Sequence, residues 1–279
     1  MGIKYRVNEN FFDAWTPVMA YVLGYMYADG SLEDASYIRG KYIRVSSVEK
    51  YSILRIKRWL GSKHTIVEQK SAWKNGRTKY LLRIGSHKLY TKLVSFGLYP
   101  NKSLTIQFPE IPKNYLHHFV RGYLDGDGCV YFYRARGKTR KLITKKLSVI
   151  FTSGSRIFLE KLNAVLKTRI DLKQEKVYRG QRAYQLRYGT SDSVQLFSFL
   201  YRHVPRHLYF TRKTKPFLLY FKLHPAKMNQ RVENTLYKLR GHVVKKQTRR
   251  SAKPLFAGAN PAVASTFEGE WRNRQTLAA

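Results

Sequence analysis

Two carboxylates stand out by their spacing. Asp29 and Asp127 each close an apolar stretch with an Asp-Gly step: Val22-Leu23-Gly24-Tyr25-Met26-Tyr27-Ala28-Asp29-Gly30 and Val120-Arg121-Gly122-Tyr123-Leu124-Asp125-Gly126-Asp127-Gly128. The interval between Gly24 and Gly122 also separates Asp29 from Asp127. Carboxylates are scarce here, 17 Asp+Glu against 53 Lys+Arg, so a matched pair is a candidate for metal work. On a helix, Ala20, Gly24 and Ala28 share one face, and so do His118, Gly122 and Gly126. Small residues at that spacing let two helix backbones approach closely. Helices packed on that face would bring their C-terminal ends together, and with them Asp29 and Asp127. Two carboxylates at the negative ends of two helix dipoles are a costly arrangement that a hard divalent cation such as Mg²⁺ relieves. Such a site can activate water and stabilise both the attacking and the leaving oxygen of a phosphodiester.

The elements that must hold these residues follow in chain order. Thr16-Pro17 starts a helix, with Thr as N-cap and Pro at the first helical position, and the helix runs through Asp29 to Gly30. A strand is expected at 41–47 and a helix from Glu49 to Leu60. Strands at 64–69 and 77–84 flank Asn75-Gly76, a strong hairpin signal. A helix runs from His87 to Phe96, and a connector with Pro100, Pro109 and Pro112 covers 98–112. The second half repeats the order. A helix from about Asn114 ends at Asp127, and strands follow at 129–135 and 143–152. A helix from Ser155 to Lys167, strands at 174–178 and 183–188, and helices at 191–203 and 213–223 complete it. Tyr80-Leu81-Leu82-Arg83 is answered by Tyr184-Gln185-Leu186-Arg187, and Asn101-Lys102-Ser103 by Arg212-Lys213-Thr214. The expected fold class is α+β, with two pseudo-symmetric αββαββα halves at 1–108 and 109–224 packed through the motif helices. Residues 225–279 read as a basic extension, with a helical fragment at 232–240 and a flexible tail from 243.

The formal charge is +36 over 279 residues. An excess this large, spread along the chain, points to a polyanionic partner, with nucleic acid the first candidate. No apolar run nears the roughly 18 residues of a spanning helix, so no membrane role is expected. The opening MGIKYRVNENFFDAW holds no apolar signal core. The expectation is a protein that is not secreted and works with nucleic acid inside the cell, in a prokaryotic cytoplasm or nucleoid or in an organelle matrix. Cys129 is the only cysteine, which excludes internal disulfides and multi-cysteine zinc sites. Asp125-Gly126-Asp127-Gly128 resembles part of a calcium loop, but the twelfth position is Arg136 rather than Glu. His117-His118 lacks the partners of a zinc or HNH-type site and reads as packing and surface.

The two stretches resemble the motif helices of LAGLIDADG homing endonucleases in their single-chain, two-motif, intron-encoded form. The resemblance covers residues from about 11 to 224 and rests on YVLGYMYADG, FVRGYLDGDG and the PNKSL before the second motif. It implies that the last acidic residue of each motif, Asp29 and Asp127, binds catalytic metal, with the carbonyls of Ala28 and Gly126 as secondary contacts. It implies Mg²⁺, with Mn²⁺ as a substitute. It also implies a basic residue from each half beside the scissile phosphates. Lys102 and Lys213 are the matched candidates, while Arg212 and Lys215 compete with Lys213. A polar residue after the second strand of each half would hold water, and Glu49 and Ser155 stand nearest that place. The first motif has Tyr27 where the second has Asp125, a departure at the earlier acidic position only.

The resemblance further implies two four-stranded sheets forming a saddle on double-stranded DNA, cut to leave short 3′ overhangs by a monomer. A β-ribbon can read base edges in the major groove. The strand and hairpin cations are Arg44, Lys70, Lys74, Arg77, Lys79, Arg83, Arg134, Arg136, Lys138, Arg140, Lys145, Lys176, Arg179, Arg182 and Arg187, and most would meet phosphates. Two other readings use the same fold. One is an RNA maturase with intron RNA as partner. The other is a non-catalytic DNA-binding regulator, which would be expected to lack one or both acidic residues.

Overall fold

The first motif helix, α1, spans Pro17–Asp29. Thr16 Oγ1 accepts the Met19 N–H at 3.0 Å, and Pro17 occupies the first position, as the sequence predicts. Every residue from Met19 to Tyr27 is buried, so α1 is a core helix with no solvent face. The structure, a computed structural model, describes residues 5–35, 37, 40–71, 76–136, 142–205 and 208–247, with the side chains of 133–136, 142–145 and 240–247 excepted.

After α1 come β1 (Gly30–Ala35), β2 (Gly40–Ser47), α2 (Lys50–Trp59), β3 (Ile66–Gln69), β4 (Lys79–Gly85) and α3 (His87–Ser95). A short 3-10 turn at Lys102–Leu104 precedes the second motif helix, α4 (Leu116–Asp127). Then follow β5 (Gly128–Arg136), β6 (Leu142–Ser153), α5 (Arg156–Lys167), β7 (Val177–Arg179), β8 (Tyr184–Tyr188) and α6 (Thr190–Tyr201). The chain continues with α7 (Thr211–Leu223) and α8 (Gln230–Gln247). The strands form two four-stranded antiparallel sheets, ordered β1-β2-β4-β3 and β5-β6-β8-β7.

The repeat extends to the pairing register. In the first sheet, Gly30, Val45, Leu82 and Ile66 form one cross-strand row. In the second, Gly128, Phe151, Leu186 and Val177 form the equivalent row. Each row begins at the glycine after a motif aspartate, so the same step that ends the helix sets the sheet register. Alternate residues, Ile43 and Val45 in β2 and Leu147, Val149 and Phe151 in β6, point into the core.

The halves meet at α1 and α4. A Cβ on Gly24 would lie 2.0 Å from the Phe119 carbonyl oxygen, and one on Gly122 would lie 2.0 Å from that of Tyr21. A Cβ on Gly126 would sit 2.4 Å from that of Ala28. No side chain fits between these backbones, so glycine sets the helix separation.

Four expectations shift. The αββαββα order needs two strands between α1 and α2, and the sequence pointed to only one. The other is β1, Gly-Ser-Leu-Glu-Asp-Ala, which holds poor strand formers and exists because it pairs along its whole length with β2. β7 begins at Val177 rather than 174, because the Lys173 and Gln174 N–H groups donate to the Asp192 carboxylate at 3.1 and 2.9 Å instead of to a ladder. The last helix runs to Gln247, past the expected start of the tail at 243. Asn75 of the expected hairpin lies outside the described residues, while Gly76 follows in an irregular segment.

Candidate active site

The seam delivers Asp29 and Asp127 to one place, because each ends a helix of the α1–α4 pair. Asp29 is half-buried and its Oδ2 would be 3.5 Å from a Cβ on Gly126, so its carboxylate lies across the seam against the backbone just before Asp127. Asp127 is enclosed by protein mass but keeps an exposed face. Desolvation, and then the neighbouring charge of Asp29, push its carboxyl up to about 7, while Lys102 and Lys213 pull it back. Its open face lets water screen part of that effect. Asp29 is raised as well, first by desolvation. A hydrogen bond from Tyr25 and the charges of Lys213, Lys102 and Arg212 oppose the rise. Asp127 feels the charge of Asp29, and both carboxylates feel both lysines, so the four form one cluster.

The lysines are buried although ammonium groups seldom are unless paired. Lys102, in the 3-10 turn, donates to the Tyr27 carbonyl at 2.8 Å. Burial lowers its pKa, and the two carboxylates hold it up. Lys213, in the first turn of α7, donates to the Gly128 carbonyl. Thus each lysine is tied to the backbone beside the aspartate of its own half. Arg212 turns instead to Glu49 of the first half, Nε to Oε1 at 2.7 Å, as an ionic contact rather than an aligned hydrogen bond.

The earlier acidic position is structural in both motifs. Asp125 is buried and accepts from Tyr21 Oη at 2.6 Å and from the Phe210 N–H at 3.2 Å. Its counterpart Tyr27 donates its hydroxyl to the Phe96 carbonyl. Ser155 is engaged as the N-cap of α5, accepting the Phe158 N–H at 3.3 Å. His117 and His118 are both buried, with ring centroids 3.9 Å apart, so the surface part of their expected role does not hold. Burial lowers their pKa values to about 3 and about 2.

Among the described residues no three His, Cys, Asp or Glu side chains gather. A cation here would rest on two carboxylates, completed by backbone oxygens such as those of Ala28 and Gly126. Two oxygen ligands whose pKa values burial raises, with Asp127 raised further by the charge of Asp29, fit a hard divalent ion, which would favour their ionised forms.

The expected recognition cations divide by face. Arg44 and Arg83 stand opposite each other in register on the outer face of the first sheet. Glu33 of β1 reconciles the two like charges: Arg83 binds it with two hydrogen bonds, at 2.7 and 3.1 Å, and Arg44 lies 3.6 Å away. Glu33 was missed because β1 was missed. On the second sheet, Arg187 is exposed and donates to Gln185 Oε1 at 2.8 Å. Lys70, Arg77, Lys79, Lys176, Arg179 and Arg182 are exposed, at strand ends and in the loops between strands. Arg134 and Arg136 lie on β5 after a register shift at Tyr133/Arg134, and Lys145 lies on β6, with side chains outside the description. Lys74, Lys138 and Arg140 lie outside the described residues.

The model of the LAGLIDADG-like domain matches residues 114–199, from the approach to α4 into α6. No curated protein matches the sequence. Among solved structures, the chain is similar to the homing endonuclease I-WcaI bound to its DNA recognition sequence. Identity is 14%, covering 75% of this chain and 90% of that one, with a TM-score of 0.50. It is also similar to meganuclease I-SmaMI bound to uncleavable DNA, at 14% identity, with 82% of this chain and 98% of that one covered and a TM-score of 0.52. I-SmaMI bound to an uncleaved DNA target in the presence of calcium ions matches at 12% identity, with coverage of 85% and 100% and a TM-score of 0.50. At such identities the likeness establishes the fold, and the coverage spans both halves.

Proposed function

We propose that this chain, a protein of the two-motif LAGLIDADG fold, is a site-specific double-strand DNA endonuclease. The observation that carries the reading is the convergence of Asp29 and Asp127 at the helix seam, with Lys102 and Lys213 beside them. The solved structures of similar fold are DNA-bound nucleases by their descriptions, and the excess of basic residues supports the same partner. Residues 1–108 and 109–224 would act as two domains, each giving one sheet to a saddle on the duplex, and 225–279 as a basic extension. Asp29 and Asp127, with the carbonyls of Ala28 and Gly126, would hold Mg²⁺, or Mn²⁺ in its place. When bound, the ion supplies activation of water and stabilisation of phosphodiester oxygens. Lys102 and Lys213 present ammonium groups where negative charge builds on each phosphate. One carboxylate and one lysine from each half give each strand its own set across a narrow groove, so a monomer cuts both, with short 3′ overhangs. A non-catalytic regulator would be expected to lack one or both acidic residues, and both are in place. No helix of the described residues is long and apolar enough to cross a membrane, and the protein would act wherever its target DNA is held.

The test is selection of cleaved sites from a randomised duplex library with Mg²⁺. The expected result is one long, asymmetric site cut on both strands. Recovery of bound but never cleaved duplexes would contradict it.

A further inference from the structure

The segment entering α7 is held in a way that its counterpart before Lys102 is not. Three consecutive residues, Leu208, Tyr209 and Phe210, each have a backbone group bound by a different buried charged side chain. The Leu208 carbonyl accepts Arg121 Nε at 2.8 Å. The Tyr209 carbonyl accepts Arg55 Nη1 at 2.9 Å. The Phe210 N–H donates to Asp125 Oδ2 at 3.2 Å. Arg121 and Asp125 lie one turn apart on α4, while Arg55 comes from α2 of the other half. All three side chains are at least nine-tenths buried.

This clamp leads directly to Lys213. Phe210 is the N-cap residue of α7, and its carbonyl accepts the N–H of Lys213 at 3.0 Å and of Thr214 at 3.2 Å. Its ring meets Tyr25 and Tyr21 of α1 edge-on, and the Arg55 guanidinium lies 5.2 Å from its centroid. Tyr21 Oη closes the network by donating to the same Asp125 oxygen. Before Lys102 the anchoring is different. The Tyr27 hydroxyl binds the Phe96 carbonyl, and the turn is made by Asn101 at φ 57°. Burying three charged groups is costly unless each is bound, and their convergence on one short segment concentrates that cost where Lys213 is aimed.

We propose that Asp125, Arg121 and Arg55 are positioning residues that fix the entry of α7, and so set Lys213, with no equivalent role toward Lys102. The device couples the first half, through Arg55, to the lysine of the second. It rests on the nuclease reading for its effect on activity, but its structural content stands apart from it. The consequence for cleavage is strand asymmetry: loosening the clamp slows the strand that depends on Lys213 and spares the other.

Two readouts on the full-length protein test this. In the first, an amine-acylating reagent is applied and the labelling of Lys213 and Lys102 is compared by mass spectrometry. Asp125→Leu and Arg55→Met are expected to raise Lys213 labelling at least 5-fold while Lys102 changes less than 2-fold. Asp125→Asn, which keeps an acceptor for the Phe210 N–H, is expected to stay near wild type. In the second, cleavage of each strand is followed separately on a duplex labelled at both ends. Asp125→Leu is expected to slow one strand at least 10-fold relative to the other, with Asp125→Asn restoring the balance. If Asp125→Leu does not fold, Arg55→Met carries both readouts. Parallel labelling of the two lysines, or equal slowing of both strands, would overturn the proposal. Selective labelling in these variants, beside a wild-type chain that cuts no DNA, would refute the nuclease reading and leave the clamp standing.

Discussion

Lys102 and Lys213 reach the same cluster by different routes. Lys102 rides on a 3-10 turn and binds the carbonyl two residues before its aspartate, whereas Lys213 rides on a full helix and binds the carbonyl one residue after its own. The halves share their sheet register but not the anchoring of their lysines. The sheets differ in the same manner. Glu33 lies three residues after Gly30 and pairs with two arginines on the first sheet, whereas Tyr131 lies three residues after Gly128 on the second. A repeat kept for its backbone therefore need not keep its side-chain partners. Function should be symmetric where the backbone sets it and asymmetric where side chains do.

The seam itself is the symmetric extreme and gives the largest effect. Gly122→Val and Gly24→Val are both expected to abolish folding, since even a Cβ would fall 2.0 Å from a carbonyl oxygen of the facing helix. Circular dichroism melting checks this, and a native melt for either variant would show that the two glycines do not set the helix separation alike.

The lysines come next. Lys102→Met and Lys213→Met should each reduce cleavage on the order of 10²-fold, mainly on one strand and on opposite strands. Strand-resolved kinetics decide this, and slowing of the same strand by both would show that the halves do not act separately.

A smaller effect concerns pH. The Asp127 carboxyl lies above its ordinary value in the folded chain, so between that value, 3.8, and about 7 the folded state binds more protons than the unfolded one. Without divalent metal, stability should therefore fall as pH rises through that window. Asp127→Asn should remove the loss, stabilising the metal-free protein at pH 8 by on the order of 0.5 kcal/mol after discounting for the exposed carboxylate, and having no such effect at pH 3. Melting in chelator at the two pH values measures it. Equal shifts at both would point to a cause other than charge.

The smallest effect belongs to the first sheet. Glu33→Gln releases two arginines and should strengthen binding to non-specific duplex and steepen its salt dependence by roughly one ion, with a stability change within about 1 kcal/mol. The corresponding change on the second sheet, Tyr131→Phe, should leave the salt slope alone.

Residues that act through local spacing were legible in the sequence. The small-residue faces of α1 and α4 and the Asp-Gly ends led to Asp29 and Asp127 together, while Lys102 and Lys213 followed from the family resemblance, with the matched triplets choosing the positions. Long-range partners were not legible. β1 carries no strand signal of its own and forms only against β2, so Glu33 was invisible as the partner of Arg83. Asp125 read as a variable acidic position because its partners, Tyr21 and Phe210, lie 104 and 85 residues away. Arg55 and Arg121, in a chain with 53 basic residues, gave no sign that they would be buried against backbone carbonyls.

The central claim is that the paired helix-end carboxylates form the cutting centre. Its most direct test is strand-resolved cleavage of the selected duplex in Mg²⁺ by Asp29→Asn and Asp127→Asn, beside a binding titration. Each variant is expected to bind within a few-fold of wild type and to lose at least about 10³-fold in cleavage. Wild-type cutting by both single variants would contradict it.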